Sequence, residues 1–127
     1  MISWTNKFNK IQSPKIRILE KRFGEILTGE KMLISTPVDI FKYINRIPRG
    51  HFVSIKRLRR ELAYESNADG TCHLTTSIFL RIAIEYSLES NNYLPFWRVI
   101  DPKSNLARKL SCGLQFIEDM QKEELLA

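Results

Sequence analysis

The sequence predicts an α+β chain, mainly helical, with a small sheet towards its N-terminal end. Three observations carry this. Apolar residues recur at three- and four-residue spacing within 37–47, 55–65, 71–88 and 114–120. Short apolar runs bounded by turn residues lie ahead of the first of these stretches. The 127 residues are 43% hydrophobic and 27% charged, which suits one ordinary core and excludes a disordered chain.

Taken in order, residues 1–12 are a polar, mixed segment, a helical turn or a loose arm, ended by Ser13-Pro14. Residues 15–21 alternate over their first half and fit either a strand or a helix start. Gly24 and Thr28-Gly29-Glu30 read as turns, and residues 32–35 as a strand. Thr36-Pro37-Val38-Asp39 is a helix start, with a capping hydroxyl, a proline at the first position and an acid facing the dipole. Ile40, Phe41, Ile44 and Ile47 follow at helical spacing, and Pro48 ends the run. Ser54 caps a helix over 55–65 in which Ile55, Leu58 and Leu62 face one way and Lys56, Arg57, Arg59 and Arg60 cover the rest. After a polar loop at 66–70, Thr71, Thr75 or Thr76 starts a helix whose stripe is Leu74, Ile78, Ile82 and Tyr86, widened by Phe79, Ala83 and Leu88. Residues 104–110 read as a basic loop. A last helix buries Leu114, Ile117 and Met120.

The net charge of +6 is polarised: residues 41–60 hold seven cations (Lys42, Arg46, Arg49, Lys56, Arg57, Arg59 and Arg60) and no acid. Such a segment is either the footprint of a nucleic-acid binder or a solvated basic face. A basic helix, a polar turn and a second helix also fit a helix-turn-helix. The first ten residues hold no apolar stretch of the secretory type, and the longest apolar run, 78–84, is broken by Arg81. With two cysteines, the expected location is a reducing cytoplasm, with no membrane span. Cys72-His73 invites a nucleophile-and-base reading, but neighbours on a helix diverge, and a small buried thiol is the simpler account. The spacing of Cys72, Cys112, His51 and His73 fits no zinc pattern, and no phosphate loop, dinucleotide fingerprint or serine elbow is present. No metal or cofactor is expected. Phe96 and Trp97 read as core or cleft-lining aromatics.

Five pieces in order carry a resemblance. Ile47-Pro48-Arg49-Gly50-His51-Phe52-Val53-Ser54, the helix over 55–63, the helix over 71–86, Leu94-Pro95-Phe96-Trp97-Arg98-Val99-Ile100 and Leu110-Ser111-Cys112-Gly113 resemble successive motifs of the DNA-binding domain of alkylguanine-DNA alkyltransferases (methylated-DNA-protein cysteine methyltransferases). The likeness covers roughly residues 44–120. It implies a winged-helix domain over 44–127 with a helix-turn-helix, and an N-terminal extension, 1–43, packed on it, as in a bacterial branch of small relatives. Phe96 stands where the family's alkyl-accepting cysteine stands, and Trp97 where its histidine stands. A phenyl ring accepts no alkyl group and an indole is no general base, so no transfer activity is expected. The nucleotide-turning tyrosine is matched by Ile55, and the arginine finger has only Leu74 and Thr75 near its place.

The alkyltransferase-like branch, which lacks the cysteine, implies a non-enzymatic binder of double-stranded DNA that recognises alkylated or modified bases in DNA repair. Phosphate contacts are expected from Arg49, Lys56, Arg57, Arg59, Arg60 and Lys103, groove contacts from Thr75, Thr76 and Ser77, and a residual base pocket from Phe96, Trp97 and Arg98. The alternative is a protein-interaction module with a protein partner on a degenerate form of this fold. A thiol activity at Cys72 is a third reading.

Overall fold

Turn chemistry and short β-prone runs place most of the sheet at the start of the chain. The computed structural model describes residues 3–10 and 13–125; the ends of the arm expected over 1–12 lie outside these residues. Strand β1 (Lys15–Ile18) pairs antiparallel with β2 (Lys31–Ile34), Lys15 opposite Ile34 and Ile18 opposite Lys31. The open choice at 15–21 therefore resolves as a strand over its first half. Strand β3 (Gly70–Thr71) joins the other edge of β2 in parallel, giving the order β1-β2-β3. Gly70 has no room for a side chain, because an added Cβ would stand 2.6 Å from Ile26 Cγ1.

About half of the chain is helical, so the α+β, mainly helical expectation holds. Helix α1 (Trp4–Lys10) borrows its cap from far along the chain. The Glu89 carboxylate accepts from the Thr5 amide at 3.1 Å, the Thr5 hydroxyl at 2.9 Å and the Trp4 amide at 3.3 Å. A negative charge there also complements the helix dipole. Helix α2 (Pro37–Asn45) starts as its sequence dictates: the Thr36 hydroxyl accepts from the Asp39 amide at 3.1 Å. Helix α3 (Ile55–Glu65) is capped by Ser54, which accepts from the Arg57 amide at 3.1 Å, and it buries Leu58 and Leu62.

Helix α4 (His73–Ser90) corrects two expectations. It starts at His73, because Thr71 belongs to β3, where its hydroxyl donates to the Arg59 carbonyl at 2.7 Å. Its buried face is only partly the expected one: Ile82, Phe79 and Ala83 are buried as expected, but Leu74 and Ile78 are 56% and 58% exposed, and Thr76, Leu80 and Ser87 are buried instead. Two faces of α4 carry apolar residues, and the polar members of the true one are disguised. Thr76 donates to the Cys72 carbonyl and Ser87 to the Ile84 carbonyl, both at 2.6 Å, so each satisfies its own hydroxyl. The expected loop at 104–110 contains α5 (Asn105–Lys109), capped by Ser104. Of the expected stripe in α6 (Leu114–Glu123) only Ile117 is buried; Met120 is half-buried and Leu114 lies at the surface.

One core joins both ends of the chain: Phe8, Leu33, Ile40 and Ile44 pack in the same cluster as Leu58, Leu80, Ile84, Ile100 and Ile117. The expected boundary at 43/44 falls inside α2, and the sheet draws β3 from one side of it and β1 and β2 from the other. Residues before 44 are thus part of this core rather than an appendage to it. Phe8 shows how: its ring stacks on Tyr86 at 3.8 Å and meets Phe41 edge-on at 5.5 Å. Phe8→Ala should lower the unfolding free energy by about 3 kcal/mol in a single urea transition. A separately folded extension would instead leave the main midpoint where it was.

Candidate nucleic-acid interface

The stretch 94–100 is buried throughout, and its centre, Phe96–Arg98, is one 3₁₀ turn. Arg98 anchors it. Its Nε and one terminal nitrogen each donate to Glu124 at 2.9 Å, and the other terminal nitrogen donates to the Ile47 carbonyl at 2.8 Å. The Trp97 indole N–H donates to the same carboxylate at 2.8 Å, and the Gly50 amide at 3.3 Å. Gly50 has φ +83°, a conformation that costs glycine little. One turn back on α6, Gln121 donates to the carbonyls of Trp97 at 3.0 Å and Ile100 at 2.7 Å. The hydrogen bond from Arg98, aided by those of Trp97 and Gly50, holds the Glu124 carboxyl down at about 2. Glu124 in turn raises Arg98.

Phe96, Trp97 and Arg98 are therefore brought together, as expected, but inside the core. Phe96 and Trp97 are 1% and 4% exposed, their rings 5.5 Å apart, with Phe116 about equally near both. The two aromatics fill the space between them rather than framing an open pocket. What remains beside them is a shallow cleft of about 300 Å³ reaching Asn91, Tyr93 and Phe116, and its lining holds no cation.

The basic run is less basic in space than in sequence. Arg46 forks onto Glu65 at 3.0 and 3.2 Å, Arg57 pairs with Glu61 at 2.9 Å, and Arg59 pairs with Glu25 at 2.5 Å. Arg49 reaches Glu123 and Glu124 at 3.9 Å. Glu61 also accepts a short hydrogen bond from the Tyr43 hydroxyl. Burial first, then the Glu61 hydrogen bond, pushes that phenol far up. Among the described residues, Lys42, Lys56 and Arg60 of the run have no ion-pair partner, and all three are exposed. Lys56 and Arg60 lie one turn apart on α3, and Tyr64, 83% exposed, continues their spacing. The tyrosine was missed in the sequence, although the four-residue interval was there to be read.

The expected groove residues divide. Ser77 is exposed on the outward face of α4, Thr75 is half-buried, and Thr76 is fully buried, which removes it from any surface contact. The Thr75 hydroxyl is buried without a hydrogen-bond partner among the described residues. Lys103 is exposed in the turn before α5, where its amide donates to Asp101. Cys72 lies in a small second cluster with Ile26 and Met32, and His73 stacks on Phe23 at 5.0 Å. The Cys112 thiol is pushed up, mainly by burial. Cys72, Cys112, His51 and His73 are not gathered, and among the described residues no three His, Cys, Asp or Glu side chains stand as a ligand group. No helix among them is long and apolar enough to cross a membrane.

Glu124→Gln would leave the Arg98 guanidinium buried without its counter-charge, and should cost roughly 3 kcal/mol. Because folding depresses this carboxyl, its contribution is present above the ordinary value of 4.5 and is lost as pH falls from there towards about 2. Acid unfolding followed by tryptophan fluorescence should show that window in the parent protein and a shallower slope across it in the variant.

No family model, no curated protein and no solved structure matches the chain.

Proposed function

We propose that the protein is a non-enzymatic DNA-binding protein that holds the duplex by its backbone through the outer face of α3. The observation that carries this is the stripe Lys56, Arg60 and Tyr64: two cations one turn apart, exposed and without ion-pair partners among the described residues, followed by an exposed aromatic. Unpaired cations on one helix face are what phosphate contact requires, since each phosphate neutralised releases counterions. In the winged-helix reading, α3 crosses the backbone, the outward face of α4 with Ser77 enters the groove, and the β1–β2 hairpin beside β3 is the wing. Ordered likeness to the alkyltransferase motifs supports this frame. Phe96 and Trp97, packed shut, support backbone binding over capture of a flipped base, and they argue against alkyl transfer. The burial of Cys72 argues against a thiol enzyme.

Fluorescence anisotropy with duplexes with and without an alkylated guanine, at several salt concentrations, tests the reading. Affinity should fall steeply with salt. Replacing both Lys56 and Arg60 by Ala should reduce the slope of log K against log salt by about 2. Plain and alkylated duplexes should bind alike. Absence of binding at low salt sinks the proposal, and a clear preference for the alkylated duplex sinks its backbone-only form.

A second reading, a protein-interaction module, is favoured by Leu74 and Ile78, two aliphatic side chains standing in solvent one turn apart on α4. It predicts no duplex binding at any salt concentration.

A further inference from the structure

Between α1, the outward face of α4 and α5 lies a half-open groove of about 320 Å³. Lys7, Arg81 and Lys109 line it, with no carboxylate, and Trp4, Ile78 and Leu106 supply its apolar surface. Lys7 Nζ stands 4.7 Å and Arg81 Cζ 5.2 Å from the centroid of the Trp4 ring. The ring attracts both charges but satisfies none of the in-plane N–H donors of a guanidinium. Arg81 Nε is buried and has no hydrogen-bond partner among the described residues. A buried charged donor left unmet is costly, and an anion in the groove beside the guanidinium offsets that cost by its charge. The acids of α4 do not serve: Glu85 is engaged by the amide and hydroxyl of Ser111, and Glu89 by the start of α1.

We propose that this groove binds a phosphate monoester carrying an apolar or heterocyclic group, with a nucleoside monophosphate as the representative ligand. The phosphate, of charge near −2, meets Arg81, Lys7 and Lys109, and the attached group lies on Ile78 and Leu106. Three cations exceed what a carboxylate of single charge needs, and the apolar side chains beside them favour an ester over inorganic phosphate. Such a group arrives either as a free nucleotide or as the 5′-phosphate of a strand. The site is separate from the Lys56 and Arg60 stripe.

Isothermal titration of the full chain with adenosine monophosphate, phenyl phosphate and inorganic phosphate tests this. Both esters should bind saturably and one to one, and inorganic phosphate should bind at least about tenfold more weakly, because it forfeits the apolar contact. Arg81→Gln and, separately, Lys109→Ala should each weaken adenosine monophosphate by at least about tenfold. Lys109 is exposed on the short helix α5, so its variant keeps the test valid if Arg81→Gln disturbs α1. Competition by a 5′-phosphorylated single strand, and not by its 5′-hydroxyl counterpart, would assign the strand end as the source; competition by neither would assign the free nucleotide. No saturable binding of either ester, or affinities unchanged in both variants, would overturn the proposal. The groove shares the outward face of α4 with the proposed duplex contact, but the duplex reading is tested at Lys56 and Arg60, which are left intact here, so failure of one titration is distinguishable from failure of the other.

Discussion

A single buried carboxylate holds the two ends of the larger half of the chain to its middle. Glu124, just past α6, accepts from Arg98, Trp97 and Gly50 together, and the third nitrogen of Arg98 donates to the Ile47 carbonyl. Removing either charge would leave the other stranded in the core, which is far worse than losing a surface pair. The consequence reaches α3. The Val53 amide donates to the Arg98 carbonyl at 2.8 Å, and the next residue, Ser54, is the cap of that helix. The start of α3, and with it the direction in which Lys56 and Arg60 point, is therefore set from the 3₁₀ turn. Apolar packing of Phe96 and Ile100 fills the space around this link, but the link determines the register of the pieces.

Charge shows how far linear order misleads. Residues 41–60 carry no acid, yet acids from four other places in the chain neutralise four of their seven cations. Glu61 directly follows the run and Glu65 lies one helical turn further on, Glu25 sits between β1 and β2, and Glu123 ends α6. Exposed pairs of this kind contribute little to stability. Their effect is to subtract from the field available to a polyanion, leaving a narrower stripe than the composition suggests.

What was legible in the sequence was local. Threonine before proline and serine before a basic amphipathic run cap α2 and α3 as read, because the capping oxygen and the amide it accepts from are three residues apart. The buried side of α4 was only partly legible: Phe79, Ile82 and Ala83 lie on it as read, Leu74 and Ile78 do not. Ile78 and Leu80 are equally apolar, and only tertiary packing decides which is covered; Thr76 and Ser87 then hide by bonding to their own helix. Glu124 was invisible for a related reason: in sequence it is one of several acids near the C-terminus, and nothing local separates it from Glu123, which lies at the surface. The same long-range closure explains why the stretch 94–100 could be matched to a motif and still be read as a pocket. Its aromatics were visible, whereas the carboxylate that draws Trp97 inward was twenty-seven residues away.

Two arginines make the functional point. Arg98 has Nε and both terminal nitrogens on oxygen, at 2.8 to 2.9 Å, within a fully covered site. Each of its three nitrogens is already engaged, and opening the site to a ligand would mean breaking an ion pair that joins three segments. Arg81 has the opposite arrangement. It is held against the face of Trp4, which steadies its plane without consuming its N–H donors, and it lines a groove that contains no acid. A folded chain satisfies its buried polar groups wherever it can. An arginine whose environment fixes its position but leaves a buried N–H unmet is therefore better explained by something the chain alone does not provide. By that criterion Arg98 is structural, and Arg81 stands where charge is fixed in place and unanswered among the described residues.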